Sequence, residues 1–189
     1  VQGETFDYPE EFFKEKVHTI RRARPDDYQI KQATDLIKKS KNPIIISGGG
    51  IFYSDAMEEL SQFAKKHNIP TAQTVMGYST MTKDDPYFLG AIGGFGGKAT
   101  NDFMKKTDLA IAIGTKLADF TTGSWTNFEN PNFKLLSINV SRFDANKHMA
   151  QAVVGDAKIC LQDLTISLGN WRAPDDWQKK SRNAVKSWN

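Results

Sequence analysis

The sequence contains little of what most metal sites and thiol sites are built from: one cysteine, Cys160, and three histidines in 189 residues. A single cysteine excludes an internal disulfide and fits a reducing cytosol, and within a predicted helix we expect it to be a buried structural thiol. His18, His67 and His148 lie far apart without partners at metal-ligand spacing, so no metal site is predicted. His67, at the end of a predicted helix, is interpreted as a cation that interacts favourably with the helix dipole.

Long apolar runs, a strong charge of one sign and the common nucleophile and phosphate motifs are also absent. No apolar run approaches the about 20 residues that span a bilayer, and no signal peptide is present, so we expect a cytoplasmic protein without a membrane partner. Lys and Arg total 25 against 22 Asp and Glu, and because they alternate along predicted helices, nucleic acid is not an expected partner. Neither GxSxG nor GxxxxGK followed by Ser or Thr occurs. The densest basic cluster, residues 21–24, is interpreted as a solvated segment.

What the sequence does contain is a regular alternation of short apolar runs with amphipathic segments of about 10–15 residues. The runs Ile44–Ile46, Ala110–Ile113 and Leu135–Ile138 are too apolar for an exposed face, so we expect them to be central, parallel and buried strands. Alternation of this kind indicates right-handed βαβ units. The sequence therefore predicts an α/β fold: a Rossmann-like, doubly wound parallel sheet of five or six strands with helices on both faces.

The predicted elements also divide the chain. Residues 1–26 form an N-terminal arm or linker, 27–168 the Rossmann-like domain, and 169–189 a linker and a C-terminal helix toward a further domain. Further strands are predicted at 69–74 and 152–154, and loops at 76–89 and 115–132. Helices are predicted at about 27–39, from a Ser54-Asp55 cap to about 66, from the glycine-rich segment to 106, and at 156–168.

Two glycine-rich turns are the candidate ligand sites. Gly48-Gly49-Gly50 follows a predicted strand and precedes a helix, where open α/β sheets place ligands, but such a turn also needs glycine for tight packing. The segment GAIGGFGGKATN, residues 90–101, departs from the dinucleotide pattern GxGxxG because its glycines run at intervals of three. Free amides ahead of a helix could still receive an anion. We interpret both turns mainly as structural.

Several motifs taken together resemble one enzyme family. The pattern G-x-x-G-x-x-G-x-x-A-x-N from Gly90 to Asn101, the strand that ends at Gly114, and the basic Lys116 are similar to the central domain of thiamine-diphosphate-dependent enzymes of the acetolactate synthase type. Pro43–Gly50 and Val153–Asp156 match the first and last strands of that domain, and the resemblance covers about residues 27–168. Within the family, the residues at 21–26, 119–125 and 139–148 resemble the corresponding sequences of the members that act in myo-inositol catabolism.

The resemblance implies a parent enzyme of three α/β domains, a hydrolase that opens a cyclic 1,2-diketone by cleaving a C–C bond with water. The two outer domains of the family bind thiamine diphosphate and Mg²⁺ across a subunit interface, and the parent is expected to be a homo-oligomer, a dimer or a tetramer. The present chain would be the central domain, with the other two domains of the same polypeptide as its partners. It is expected to have no catalytic or metal-binding residue and no activity alone.

This sequence differs from the flavin-binding relatives at positions where those relatives bind FAD, and the differences indicate whether this chain binds a cofactor. Those relatives hold FAD along the glycine segment, a Gly-x-Arg after the next strand and an acidic pair after the following one. Here Lys116 stands at the arginine position, and Asn139 and Ser141 replace the acids that would accept bonds from the adenosine hydroxyls. We therefore expect no cofactor in this chain. A vestigial or weak nucleotide crevice would consist of Gly48, Gly49, Gly93, Gly96, Gly97, Asn101 and Lys116.

Two alternatives stay open at this point. The chain could be the central domain of an acetolactate synthase-like carboligase that holds FAD, in which case the purified protein would be yellow. It could also be a stand-alone nucleotide-binding module, in which case it would bind a nucleotide tightly without any catalytic partner.

Overall fold

A computed structural model describes residues 3–188 and contains one six-stranded sheet in which every pair of neighbours is parallel. The strands are β1 (Pro43–Ser47), β2 (Thr71–Gln73), β3 (Phe88–Ala91), β4 (Leu109–Ile113), β5 (Lys134–Asn139) and β6 (Gln151–Val154). Their order is β3-β2-β1-β4-β5-β6, so the winding reverses between β1 and β4. The prediction of a doubly wound, Rossmann-like parallel sheet is confirmed.

Helices lie on both faces of the sheet. Their bounds are α1 (Asp27–Lys39), α2 (Gly50–Tyr53), α3 (Met57–His67), α4 (Lys98–Met104), α5 (Asp119–Thr122), α6 (Arg142–Ala145), α7 (Ala157–Leu168) and α8 (Asp175–Trp188). Side chains from α1, α3 and α7 pack on one face, and side chains from α4 and α8 pack on the other. The short helices α2, α5 and α6 come after β1, β4 and β5 across short connections, so they lie at the edge where the carboxyl ends of these strands meet.

The core confirms the three strands expected to be central. Ile44–Ile46 and Ala110–Ile113 are fully buried, and Leu135–Ile138 is at most 7% exposed. Adjacent residues of a strand point to opposite faces, so Ile45 packs with the α1–α3–α7 layer and Ile44 with the α4–α8 layer. A strand with helices on both faces has no solvated side, which is why these runs are apolar without alternation.

Carboxylate caps fix the start of two of the long helices. Asp26 accepts the backbone N–H of Gln29 at 2.8 Å at the start of α1, and Asp156 accepts the N–H groups of Lys158 and Ile159 at the start of α7. These bonds satisfy amides that have no partner within the helix and place a negative charge at the positive end of its dipole. Both helix starts agree with the sequence-based prediction.

Helix α8 packs tightly on the domain. The Trp177 indole N–H donates to the carbonyl of Pro43 at 2.8 Å, and its ring stacks on Phe103 with centroids 4.1 Å apart. Trp177 is 2% exposed, and it belongs to the same apolar cluster as Ile44 and Met104. The α4–α8 layer is therefore completed by residues that lie beyond the predicted end of the Rossmann-like domain.

Three sequence-based element predictions were wrong in detail. Ser54-Asp55 does not cap a helix, since α2 occupies Gly50–Tyr53 and α3 begins only at Met57; the Ser54 hydroxyl instead accepts the N–H of Ala157 at 3.2 Å. Strand β3 takes up the end of the predicted loop 76–89 and the first two residues of the glycine segment. Within the predicted loop 115–132, the chain forms α5.

Two predictions about charged side chains were also wrong. His67 is fully buried, its Nδ1 lies 2.8 Å from the carbonyl oxygen of Trp171, and desolvation lowers its pKa, so it is not a cation at the helix end. The basic cluster is not simply solvated, because Arg22 pairs with Asp156 at 2.9 Å and Arg24 with Asp163 at 2.6 Å. The local sequence could not reveal these contacts, because the partners lie more than 100 residues away along the chain.

Candidate functional site

The candidate site lies at the carboxyl edge of the sheet, where the winding reverses between β1 and β4. Open α/β sheets place ligands in this crevice. In this chain the turns after β1 and β4 touch each other there. The N–H of Gly48 donates to Ile113 at 2.9 Å and that of Gly50 to Gly114 at 3.0 Å. The crevice is therefore closed at its base by backbone hydrogen bonds.

The glycines of the first turn are explained by this contact. A Cβ at Gly48 would lie 2.4 Å from the Gly114 oxygen, and one at Gly50 would lie 2.5 Å from the Gly114 Cα. At Gly49 the nearest atom would be the Met76 carbonyl oxygen at 3.0 Å. Each position is limited by backbone atoms, which cannot rotate away, so the triplet is required for packing whether or not a ligand binds.

The glycine segment between β3 and α4 packs on the segment that follows β4. Gly93 adopts a φ of +89°, and a Cβ there would lie 2.3 Å from the carbonyl oxygen of Phe120. The N–H of Gly94 donates to the same oxygen at 2.9 Å, and the N–H of Gly96 donates to Gly93 at 2.8 Å. The rings of Phe95 and Phe120 lie 4.8 Å apart. The protein itself therefore fills the space that the glycines leave.

Asn101 holds this segment in place. Its Oδ1 accepts the N–H of Gly93 at 3.0 Å, and its Nδ2 donates to the carbonyl of Gly93 at 3.1 Å. The Asn127 amide donates to the same Oδ1 at 3.3 Å. The Asn101 side chain thus satisfies both backbone groups of Gly93, and its polar atoms are used within the protein.

The backbone N–H groups of this segment that remain without an acceptor lie in the first turn of α4. Gly97 is the residue before the helix and provides no side-chain cap. Lys98 is exposed and forms an ion pair with Asp102 one turn later, and this bond lowers the pKa of the Asp102 carboxyl. Lys98 is thus partnered by a carboxylate of its own helix, which offsets its attraction for an anion at this turn.

Lys116 lies after β4, beside residues that follow β5. The amide of Asn139 donates to the Thr115 carbonyl at 3.3 Å, and the Ser141 hydroxyl caps α6 by accepting the N–H of Asp144 at 3.2 Å. Asp144 pairs with Lys147 at 2.8 Å, and its pKa is lowered chiefly by Lys147 and further by Lys116. A carboxylate near Lys116 is therefore present, although it comes from Asp144 in α6 and not from position 139 or 141.

The seven predicted site residues thus lie at one edge, in two groups that both contact the segment after β4. Gly48 and Gly49 belong to the group at β1, while Gly93, Gly96, Gly97 and Asn101 belong to the group at β3. Lys116 is exposed within the connecting segment itself. Gly114, with a φ of +62°, and Phe120 were missed by sequence reasoning. A glycine directly after an apolar strand was the available signal for Gly114.

A wide groove lies away from this site. A groove of about 990 Å³ runs along the opposite, amino edge of the sheet, between α1 and the starts of β5 and β6. Its lining includes Trp125 and His148, whose rings meet edge to face at 4.4 Å, together with Phe133 and Met149. None of the predicted site residues lines it.

Residues 3–188 contain neither a cluster suited to a metal ion nor a reactive thiol. This part of the chain has no group of three or more His, Cys, Asp or Glu side chains that could hold a metal ion. Cys160 is fully buried, and desolvation raises the pKa of its thiol to about 12, which confirms the structural interpretation. Within the same range, no helix is both long enough and apolar enough to cross a membrane.

Comparison with known proteins agrees with this geometry. A family model described as "Thiamine pyrophosphate enzyme, central domain" matches residues 30–164. Proteins named 3D-(3,5/4)-trihydroxycyclohexane-1,2-dione hydrolase are similar over 188 residues: 42% identical in Clostridium perfringens (strain 13 / Type A), 42% in Clostridium tetani (strain Massachusetts / E88) and 45% in Bacillus thuringiensis (strain Al Hakam). The alignments cover 100% of this chain but 29% of each relative, so the chain spans less than a third of the curated relatives it matches.

Proposed function

Since the chain belongs to the family of thiamine pyrophosphate enzyme central domains, we propose that it is the central domain of a thiamine-diphosphate-dependent hydrolase. The parent enzyme would open a cyclic 1,2-diketone of myo-inositol degradation by cleaving a C–C bond with water. One observation carries this proposal: the relatives share that substrate in their name and are 40–45% identical along the whole chain. The central domain itself would be non-catalytic.

The residues of this chain do not fit the cofactor that the family name implies. A diphosphate and its Mg²⁺ need clustered oxygen donors, and residues 3–188 contain no carboxylate cluster suited to a metal ion. At the carboxyl edge, the partly buried Asp144 and the buried Asp156 are paired with Lys147 and Arg22. Thiamine diphosphate and Mg²⁺ would therefore be bound by parts of the parent outside this chain, and no catalytic step is assigned to these residues.

The glycine crevice has a packing role in this proposal. The amides of Gly93, Gly94 and Gly96 are not available to a phosphate, because Asn101, Phe120 and Gly93 already accept them. The backbone contact between Gly48 and Gly114 closes the base of the crevice. We therefore assign to Gly48, Gly49, Gly93, Gly96, Gly97, Asn101 and Lys116 at most weak binding of a nucleotide.

We also propose the cellular compartment and the partners of the parent enzyme. A buried free thiol at Cys160 suits the reducing cytoplasm. The relatives are more than three times as long as this chain, so the other domains of the same polypeptide would be its first partners, within a homodimer or homotetramer.

The test is turnover by the full-length parent. With thiamine diphosphate and Mg²⁺ supplied, we expect the parent to convert the trihydroxycyclohexane-1,2-dione to a ring-opened acid heavier by one water, measured by mass spectrometry. The isolated 189-residue chain should give no product under the same conditions. A parent that purifies with bound flavin and condenses 2-keto acids would instead be a carboligase. Titration calorimetry of the chain with FAD, NAD and ADP tests the crevice, since a Kd below about 10 μM would show a working nucleotide site.

A further inference from the structure

Large apolar side chains are exposed in each segment, loop or short helix, that follows one of the first five strands. Tyr53 follows β1, Met76 and Tyr78 follow β2, and Phe95, Phe120 and Phe143 follow β3, β4 and β5. These six side chains, which we call the carboxyl-edge rim, are between 51% and 82% exposed. Monomeric soluble proteins seldom expose a contiguous apolar surface of this kind unless another molecule or domain covers it.

The members of the rim share one edge of the sheet, because the carboxyl ends of parallel strands lie at the same edge. The rings of Phe95 and Phe120 are in contact, and the backbone of Met76 packs against Gly49, next to α2 and Tyr53. Large aromatic side chains bury about 150–250 Å² each. At the observed exposures the rim offers several hundred Å², which is a large share of the about 600–1,500 Å² typical of an interface between domains.

The opposite edge of the sheet has fewer fully exposed large apolar side chains. Among residues 3–188, Met149 is the one exposed large apolar side chain in a loop at the amino ends of the strands. The large apolar side chains in the loops and short helices at the strand ends are therefore concentrated at the carboxyl edge, whereas Trp125 and Phe133 in the amino-edge groove are partly buried.

The N-terminal arm, which joins the domain at the same edge, carries further exposed apolar side chains. Residues 3–21 are all exposed, including the clustered rings of Tyr8, Phe12 and Phe13. The arm joins the domain at the carboxyl end of β6, where Ala23 accepts the N–H of Asp156 at 2.8 Å.

Helix α8 leads to this edge as well. Trp177, near its start, contacts Pro43 at the amino end of β1, whereas Ala184 and Ser187, farther along, line a cavity together with Ala99 at the start of α4. The helix therefore runs from the amino edge toward the carboxyl edge, where the rim lies and where the arm joins the domain.

We propose that the carboxyl-edge rim and the arm form one docking face for the part of the parent polypeptide that lies outside these 189 residues. The inference rests on the proposed function only in that the chain is one domain of a longer protein. The relatives carry about 70% of their length outside the matching region, which supplies an occupant of sufficient size. The occupant presents an apolar surface to the rim, and its burial removes these aromatic side chains from water.

Two methionines provide a matched test in the unmodified full-length parent. Met76 in the rim is 72% exposed and Met149 at the amino edge is 99% exposed, so without docking their rates of oxidation by hydrogen peroxide should differ by less than about twofold. With docking, we expect Met76 to be oxidised at least tenfold more slowly than Met149, as measured by peptide mass spectrometry. Equal rates, within twofold, would overturn the proposal.

Photo-crosslinking identifies the occupant. A benzoyl-phenylalanine placed at Phe143 of the full-length parent should form adducts with peptides outside residues 1–189, whereas the same group at Ile166, which is 78% exposed on α7, should form few. Adducts from position 143 to residues 1–189 of a second copy, or a yield equal to that at position 166, would contradict the proposal. Neither readout depends on turnover, so a parent without hydrolase activity can still pass this test, and an active parent can fail it.

Discussion

The contact between the turns after β1 and β4 gives a quantitative prediction for Gly48→Ala. The added Cβ would lie 2.4 Å from the Gly114 oxygen and 2.6 Å from the Thr115 Cβ, whereas ordinary contacts begin near 3.4 Å. The turns would have to separate by about 1 Å, the difference between the first and last of these distances. That movement would stretch the hydrogen bond from Gly48 N–H to Ile113, now 2.9 Å, beyond hydrogen-bonding range.

The expected cost follows from two terms. Overpacking a site that cannot relax costs about 1–3 kcal/mol, and leaving a buried amide without its acceptor costs about 1–3 kcal/mol. Because Gly48 is buried at the centre of the sheet, we expect Gly48→Ala to lower the free energy of unfolding by about 2–6 kcal/mol.

Urea unfolding followed by tryptophan fluorescence measures this change. The matched control is Gly3→Ala in the exposed arm, where a Cβ meets nothing within 4 Å and the free energy of unfolding should stay within about 0.5 kcal/mol of the unsubstituted chain. If Gly48→Ala also stays within about 0.5 kcal/mol at an unchanged slope with urea, the turns are not packed as described and the packing role of the triplet is wrong.

Three further predictions concern buried side chains. Burial lowers the pKa of His67 below 6.5, so the unfolded chain takes up a proton that the folded chain excludes. The free energy of unfolding should therefore fall as the pH drops below about 6.5, by at most about 1.4 kcal/mol per pH unit, and His67→Gln should flatten this dependence in urea titrations. Trp177→Ala should lower the free energy of unfolding by about 3–5 kcal/mol, and Trp177→Phe by less, because phenylalanine can still stack on Phe103. Because its pKa is about 12, the Cys160 thiol should react with iodoacetamide at pH 7.5 only in urea, and rapid labelling of the native chain would contradict its burial.

The sheet could be predicted from sequence because its central strands need no partner to be recognised. Ile44–Ile46 and Ala110–Ile113 are continuous apolar runs, and only a strand or helix buried on every side tolerates such a composition. Strand β3 was missed because it is an outer strand of four residues, interrupted by Gly90, and only Leu89 among them is buried. Its strand conformation depends on the ladder with β2, which local composition does not show.

The candidate site was predictable only as a location. Glycines after a strand mark the carboxyl edge, but whether their amides face a ligand or the protein depends on residues far along the chain. Gly48 meets Gly114, and Gly93 meets Phe120, and neither pairing has a signature in the local sequence. The same holds for His67, whose environment is set by Trp171 across 104 residues.

The position of Trp177 has a consequence for synthesis of the protein on the ribosome. The hydrogen bond from its indole spans 134 residues back to Pro43, and the same side chain covers Phe103 on one face of the sheet. At about 5–20 residues per second, β1 would wait on the order of 7–27 s for this partner after leaving the peptidyl-transferase centre. During that interval α1 and α3 can cover part of one face and α4 part of the other, but the α4–α8 face cannot be completed before α8 has been synthesised. A nascent chain of this domain is therefore expected to depend longest on chaperones at the face that its last helix completes.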